Sequence, residues 1–281
     1  MLIFNNKASL NAHLVQLREQ EKTIGFVPTM GALHKGHLSL IERSDAENDI
    51  TVISIFVNPT QFNNAEDLEK YPRTLERDIE KIDAVNNAVI VFAPTVDDMY
   101  EGNTVSGHFS FDGLENQMEG KHRPGHFDGV GTIVKKLFEA VEPDNAYFGE
   151  KDFQQLQIVR KMVEKEGVNV KIIGCPIYRE PNGLAMSSRN ERLSNDEREE
   201  AGFIYKTLIA AKERYTTDTP DAVRTFVEKA FQNNTILKLE YFEIADEATL
   251  MPVNNKTEAK TRAFIAVIVG NVRLIDNISL N

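Results

Sequence analysis

The sequence predicts an α/β protein: a parallel sheet covered by helices over residues 1–175, followed by a smaller C-terminal α+β domain over 176–281. Three observations carry this. Short β-branched or aromatic runs alternate with segments of helical spacing as far as Cys175. The run ITVISIFV at 50–57 is almost continuously apolar, the pattern of a strand buried on both faces. After residue 176 the rhythm changes to helices followed by consecutive strands.

In order, residues 23–27 read as a strand ending at Pro28, and 37–48 as a helix through Leu38, Ile41 and Ala46. Strand 50–57, helix 75–85, strand 88–92, helix 130–141, strand 146–148, helix 152–166 and strand 170–175 complete the first domain. In the second, helices are predicted at 196–214 and 221–233, the latter opened by Thr219-Pro220. Strands follow at 239–245, 261–269 and 272–278, the last pair joined by turn residues Gly270-Asn271. There is no internal repeat and no low-complexity segment. Ligands of parallel sheets sit beyond the carboxyl ends of the strands, so the loops after strands are where chemistry is expected.

Composition narrows the function classes. A hydrophobic share of 41% over 281 residues supplies a core, and 27% charged residues argue against wholesale disorder. With 32 basic and 43 acidic residues the net charge is −11, which disfavours nucleic acid and anionic membrane surfaces as partners. It does not exclude a small anionic substrate, because a local basic cluster can sit inside an acidic shell. Cys175 is the only cysteine, so an intramolecular disulfide and a Cys-based zinc site are excluded. The longest apolar runs are strand-length, far below the ~18 residues a membrane span needs. The N-terminus lacks a basic region followed by an apolar run and a cleavage site, so a soluble cytoplasmic protein is expected.

Four clusters stand on post-strand loops. The densest is PTMGALHKGH at 28–37, between a buried strand and a helix. Gly31 and Gly36 permit close backbone approach, and a helix starting near His34 puts His34 and His37 on one face at its N-terminus. Free amides and the helix dipole favour phosphate there, and imidazoles add donors that follow charge onto a leaving oxygen. The plainer reading is a helix cap with two solvated histidines. The second cluster, FVNPTQF at 56–62, offers Asn58 and Gln61 as neutral partners for hydroxyl and carboxylate groups, or else a Pro-centred turn with Asn58 bonding its own backbone. The third, FGEKDFQQ at 148–155, has Gly149 to free the backbone, Lys151 as a point charge for phosphate, and Asp152 as ligand contact or N-cap. The fourth, MSSRN at 186–190, suits phosphate oxygens or an ordinary cap region.

Lesser candidates are Asp78, a magnesium ligand or a solvated helix residue, and the segment 119–126, read as a mobile loop or gate whose Arg123 reaches phosphates. Gly129 and Gly131 precede a helix but lack the strand and acid of a dinucleotide fingerprint. Cys175 reads as a structural thiol, His13 as a surface residue, and His108 as a strand residue without a role.

PTMGALHKGH, FVNPTQF, YPR, FGEKDFQQL and GLAMSSRN occur in that order and together resemble the pantoate–β-alanine ligase family. HKGH is similar to the HxGH signature of the wider nucleotidyltransferase superfamily, and MSSR to the phosphate-binding loop that serves as KMSKS does in class I tRNA synthetases. The resemblance implies a Rossmann-like sheet domain over 1–175, a C-terminal lid domain over 176–281 that covers the site, and a homodimer. It implies that ATP and magnesium adenylate pantoate with release of pyrophosphate, and that β-alanine then attacks the pantoyl adenylate to give pantothenate and AMP. By motif, Met30, Gly31, Ala32, Leu33, His34, Lys35, Gly36 and His37 contact ATP, with His37 the catalytic proton donor or charge stabiliser. Gly149, Glu150, Lys151, Asp152, Met186, Ser187, Ser188 and Arg189 complete the nucleotide contacts, with Tyr178 added through its backbone. Gln61 and Gln155 hold pantoate, Asn58 and Arg123 assist, and Asp78 is the metal ligand. Two alternatives are an enzyme that transfers AMP or CMP to a phosphorylated substrate, which would need more cationic groups than Asn58, Gln61 and Gln155 provide, and a non-catalytic nucleotide sensor.

Overall fold

The alternating runs of the first 175 residues assemble as β1 (Leu2–Phe4), α1 (Lys7–Arg18), β2 (Ile24–Thr29), α2 (Lys35–Glu47), β3 (Ile50–Ile55), α3 (Ala65–Lys70), α4 (Leu75–Asp83), β4 (Ile90–Phe92), α5 (Val96–Tyr100), α6 (Met118–His122), α7 (His126–Val141), β5 (Asn145–Gly149), α8 (Phe153–Glu166) and β6 (Lys171–Cys175). The structure, a computed structural model, describes residues 1–62 and 65–281, the side chain of residue 67 excepted. Two units are distinguished: 1–150 with 155–175, and 151–154 with 176–281.

In the first unit the six strands form one sheet in the order β1-β4-β3-β2-β5-β6. Every pairing is parallel. Its core joins Val27, Ile53, Val91 and Tyr147 of the strands to Leu33, Ile41 and Ile82 of the flanking segments. From β2 the chain builds outward through β3 on one side, while β5 and β6 lie on the other. The loops after β2 and β5 therefore flank the switch point where sheets of this kind bind ligands.

Several elements depart from the sequence reading. β1 is a three-residue edge strand whose Leu2 and Ile3 are exposed, too short to give a periodic signal. Residues 118–122 are helical rather than a gate loop: a Cβ on Gly120 would lie 1.8 Å from the Glu115 carbonyl oxygen, so glycine lets this turn close. α7 begins four residues before the expected 130, which places Gly129 and Gly131 inside it. His108 lies outside any strand and meets Asp128 at 3.2 Å. His13 is half-buried against Phe4, with ring centroids 5.4 Å apart.

The second unit contains α9 (Asn195–Glu200), α10 (Gly202–Tyr215), α11 (Pro220–Gln232), β7 (Leu237–Asp246), β8 (Thr261–Val269) and β9 (Val272–Ser279). The strands form an antiparallel sheet β7-β8-β9 with α10 and α11 packed on it through Ile204, Leu208, Val223, Val227 and Phe231. The single helix expected over 196–214 is broken at Ala201. The cause is an inserted side chain: Asn182 Nδ2 donates to the Arg198 carbonyl at 2.8 Å, taking an acceptor of the helical ladder. The α/β sheet and the small α+β unit are thus the predicted fold class.

Candidate active site

The loop after β2 is held from below. Gly31 (φ +80°) and Ala32 (φ +50°) both occupy the left-handed region, which costs a non-glycine residue ~1–3 kcal/mol. Asp78 of α4 offsets that cost. Its Oδ2 accepts from Ala32 N–H at 2.9 Å and from Thr74 Oγ1 at 3.1 Å, and its Oδ1 accepts from Leu33 N–H at 2.7 Å. The Leu33 carbonyl takes a bond from Lys81 Nζ at 2.5 Å, and the Leu33 side chain is in the core. The Leu33 N–H is thus engaged by Asp78 and its side chain by the core, so any contact it makes with a nucleotide would run through the second lone pair of its carbonyl.

The loop delivers the chain to α2 with His34 as N-cap. His34 N–H donates to His37 Nδ1 at 3.3 Å, and the two rings stack with centroids 3.9 Å apart and planes at 23°. An N–H only donates, so Nδ1 of His37 is an acceptor and its ring proton is carried on Nε2. The ring belongs to the first turn of a 13-residue helix, at the positive end of its dipole. Lys35 is exposed, and Met30, Gly36 and both histidines are half-buried.

Gln61 is oriented by a relay. The Gly129 carbonyl can only accept, so the Asn58 amide turns its Nδ2 there, at 3.1 Å. The second Nδ2 hydrogen goes to Gln61 Oε1 at 3.2 Å, leaving Gln61 Nε2 directed toward Met30 Sδ at 3.0 Å. Asn58 Oδ1 accepts from Tyr100 Oη at 2.6 Å and from Thr60 Oγ1 at 3.2 Å. Asn58 is 1% exposed with both hydrogens and both lone pairs engaged, an arrangement that suits orienting Gln61 better than the direct substrate contact expected of it. The backbone of Gln61 is held as well. Its carbonyl accepts from His126 Nδ1 at 2.9 Å and Arg123 Nη2 at 3.4 Å, and Arg123 Nη1 meets His126 Nε2 at 3.2 Å.

Gly129 explains how α7 comes so close. A Cβ there would sit 2.5 Å from the Thr60 carbonyl oxygen. Tyr100, His126 and Gly129 carry no role in the sequence reading. Only the glycines within an apolar helical pattern gave a signal, of close backbone approach.

After β5, a Cβ on Gly149 would meet nothing within 4 Å, so the space beside its backbone is open. Glu150 is half-buried there, as is Gln155 in the first turn of α8. Cys175 is buried in the first unit's core, and burial pushes its thiol pKa up, as suits a structural residue.

The remaining candidates lie in the second unit. Lys151 Nζ is 3.8 Å from the exposed Asp152 carboxylate. Tyr178 is 41% exposed, and its carbonyl accepts from Met186 N–H at 2.9 Å, so that oxygen already has a partner. Ser187 is an N-cap whose Oγ accepts from Arg189 N–H at 3.3 Å, leaving its hydroxyl hydrogen available. Met186, Ser188 and Arg189 are half-buried. Beneath them Asn190 is fully buried, donating to Glu180 Oε1 at 2.7 Å and to the Ala185 carbonyl at 3.1 Å.

A magnesium ion finds a partial fit. Of the roughly four lone-pair directions of the Asp78 carboxylate, three are occupied, and the residue is 0% exposed. Among the described residues no group of three or more His, Cys, Asp or Glu gathers to hold a metal.

The profile of the pantoate-beta-alanine ligase family matches residues 2–279. A pantothenate synthetase of Flavobacterium psychrophilum is 62% identical over 281 residues, covering all of both chains, and one of Christiangramia forsetii is 54% identical over 282 residues with the same coverage. The crystal structure of pantothenate synthetase from Thermus thermophilus is similar with TM-score 0.92 at 40% identity, covering 100% of this chain and 99% of that one. Pantoate-beta-alanine ligase from Francisella tularensis, complexed with beta-gamma ATP and beta-alanine, is similar with TM-score 0.81 at 38% identity, over 100% and 98% of the chains.

Proposed function

The chain belongs to the pantoate–β-alanine ligase family, and from that premise we propose that it joins the two substrates through a pantoyl adenylate made with ATP. In the first step a pantoate carboxylate oxygen attacks the α-phosphorus, and the bond to the bridging oxygen breaks, its electrons leaving with pyrophosphate. In the second the β-alanine nitrogen attacks the acyl carbon, AMP leaves with the electron pair of the C–O bond, and the nitrogen loses its proton to solvent. Neither step needs a protein nucleophile; both need positioning and donors for the charge that moves.

The observation that carries the reading is the fixed pair of donors after β2 and β3. We read His37, whose Nδ1 is engaged by His34 N–H, as the donor to a phosphate oxygen at the head of α2. Gln61, with Oε1 engaged by Asn58, presents Nε2–H toward an oxygen of the acid substrate. We assign Met30, Gly31, Ala32, His34, Lys35, Gly36, His37, Gly149 and Glu150 to the nucleotide, and Gln61, Gln155 and Arg123 to pantoate. From the second unit Lys151, Asp152, Tyr178, Met186, Ser187, Ser188 and Arg189 are assigned to the nucleotide. Two neutral amides with a single arginine beside the acid, rather than a cationic cluster, weigh against a phosphorylated acceptor.

Magnesium would enter this scheme as the counterion of ATP, offsetting the charge that passes to pyrophosphate, with the one lone-pair direction of Asp78 not used by the loop as the protein's contribution. The homodimer and cytoplasmic location belong to the same proposal; among the described residues no helix is long and apolar enough to cross a membrane.

The test is pantoate-dependent exchange of labelled pyrophosphate into ATP with magnesium and without β-alanine. Exchange that requires pantoate establishes the adenylate half-reaction. Its absence, from folded protein that binds ATP, overturns the adenylate.

A further inference from the structure

Residues 151–154 follow β5 in the chain yet group with the second unit, and the contacts show what holds them. The Phe153 ring has the Arg262 guanidinium over it, 4.0 Å from its centroid, and the tilted Phe264 ring 5.9 Å away. Asn277 of β9, which pairs with Phe264 across the hairpin, donates from Nδ2 to the Lys151 carbonyl at 2.9 Å. The orientation of that amide is unambiguous. On one side is a carbonyl, which only accepts; on the other is Arg262, which only donates, with Nη1 2.6 Å from Asn277 Oδ1. Arg262 is in turn fixed by Glu247, its Nε 2.8 Å from Oε1. Asn277 is 2% exposed and Arg262 7%, so the relay works out of water, where each bond is stronger than at the surface.

From this we infer that Asn277, oriented by Arg262, is a positioning residue for Lys151: it fixes the backbone from which the lysine ammonium reaches the nucleotide. The inference rests on the phosphate role proposed for Lys151. A lysine side chain has four rotatable carbons and no directional fork, so the place of its backbone decides where its charge is delivered. A displacement of about 1 Å at a positioned group is enough to cost ~100-fold in rate.

The experiment compares Lys151→Ala, Asn277→Ala, Asn277→Asp and the two double variants in the full-length chain. Asn277→Asp keeps the acceptor for Arg262 and replaces the donor to Lys151 with a charged acceptor; Asn277→Ala removes both bonds without a new charge, so a loss common to the two reports the missing donor. Readouts are kcat, KM for ATP and for pantoate, calorimetric affinity for a non-hydrolysable ATP analogue, and thermal midpoint. Both Asn277 variants are expected to lose about tenfold or more in kcat/KM for ATP, with KM for pantoate held within about twofold. In the Lys151→Ala background the same substitutions should change rate and analogue affinity by less than about twofold, because the positioned group is gone. A merely structural asparagine would cost the same factor in both backgrounds, and that result overturns the inference. Unchanged kcat/KM in both single variants also overturns it. If Lys151→Ala itself is as active as the parent, the phosphate role falls first and takes this inference with it; that outcome is separate from a failure of Asn277 alone.

Discussion

Asp78→Asn separates two roles for one carboxylate. As anchor of the loop after β2, Asp78 accepts from two backbone amides and a hydroxyl while fully buried. The asparagine has one oxygen. Placed on the Oδ2 side it keeps Ala32 N–H and Thr74 Oγ1 but turns an NH₂ group toward the buried Leu33 N–H. Losing that charge-assisted bond costs about 1.5–3 kcal/mol, and the two retained bonds weaken by about half when the acceptor is neutral. A total near 3 kcal/mol corresponds to a drop of about 6–12 °C in the transition of the first unit, at roughly 2–4 °C per kcal/mol. Calorimetry without magnesium or nucleotide reads it directly. Activity should fall with it, since the strained Ala32 turn sets where His34 and His37 stand. If Asp78 served only to hold magnesium, the apo midpoint would be unchanged and only the magnesium dependence of KM for ATP would move. An apo midpoint within about 1 °C of the parent refutes the anchoring argument.

Other perturbations test the remaining supports. Tyr100→Phe removes the 2.6 Å bond to Asn58 Oδ1 and should lower kcat/KM for pantoate about fivefold, the worth of one hydrogen bond near 1 kcal/mol, while KM for ATP stays constant; steady-state kinetics with each substrate varied decide it. Gly129→Ala places a methyl 2.5 Å from the Thr60 carbonyl oxygen, between two backbones that cannot yield cheaply, and should destabilise by about 1–3 kcal/mol in urea titration while impairing pantoate use through Gln61. Asp49, which accepts from Thr23 N–H and Oγ1 and from Lys22, is held down at about 2, below the ordinary 3.8 of an aspartate. Because the folded value is depressed, its contribution is present above the unfolded value and is lost as pH falls toward 2, so Asp49→Asn should flatten the acid limb of the stability curve there. Burial raises the pKa of Asp276, which Arg179 Nη1 and Nη2 hold at 2.7 and 3.0 Å. Arg179→Met leaves a buried carboxylate unpaired and should cost about 3–5 kcal/mol at neutral pH. A carboxyl whose folded pKa is raised binds more protons folded than unfolded, so this penalty should shrink as pH falls through the raised value; urea titrations at neutral and acid pH compare the two.

The sheet was legible because β-branched runs such as 50–57 advertise a strand buried on both faces, and residues 51–54 are indeed buried. The loops were legible because HKGH and FGEK place glycine, histidine and lysine where strands end. What could not be read was which polar groups were already spoken for. Asn58 and Gln61 look alike in the sequence, but one has every hydrogen-bonding position filled by Tyr100, Thr60, Gly129 and its neighbour, while the other keeps its amide nitrogen for Met30 sulfur and whatever displaces it. Asp78 sits 45 residues from Leu33 and Asn277 lies 126 from Lys151, separations at which no local pattern links a residue to the group it supports. The break at Ala201 was hidden for the same reason, since its cause is a side chain from Asn182.

One device recurs through these supports. At His37, Asn58 and Asn277 a side chain able to point either way is forced into one sense by a backbone group that can only donate or only accept: His34 N–H, the Gly129 carbonyl and the Lys151 carbonyl. At Gln61 the result is an amide turned so that its nitrogen, not its oxygen, lies on the Met30 side. That resolves the tension between a chain of net charge −11 and two anionic substrates. On the proposed assignment, oriented N–H groups would favour a carboxylate or a leaving phosphate oxygen at close range beside the few cationic side chains, and they would need no reorganisation as charge moves between ground and transition states. If His37 and Gln61 have the roles proposed for them, fixing the ring and the amide from neighbouring backbone groups would place the stabilisation where the charge arrives.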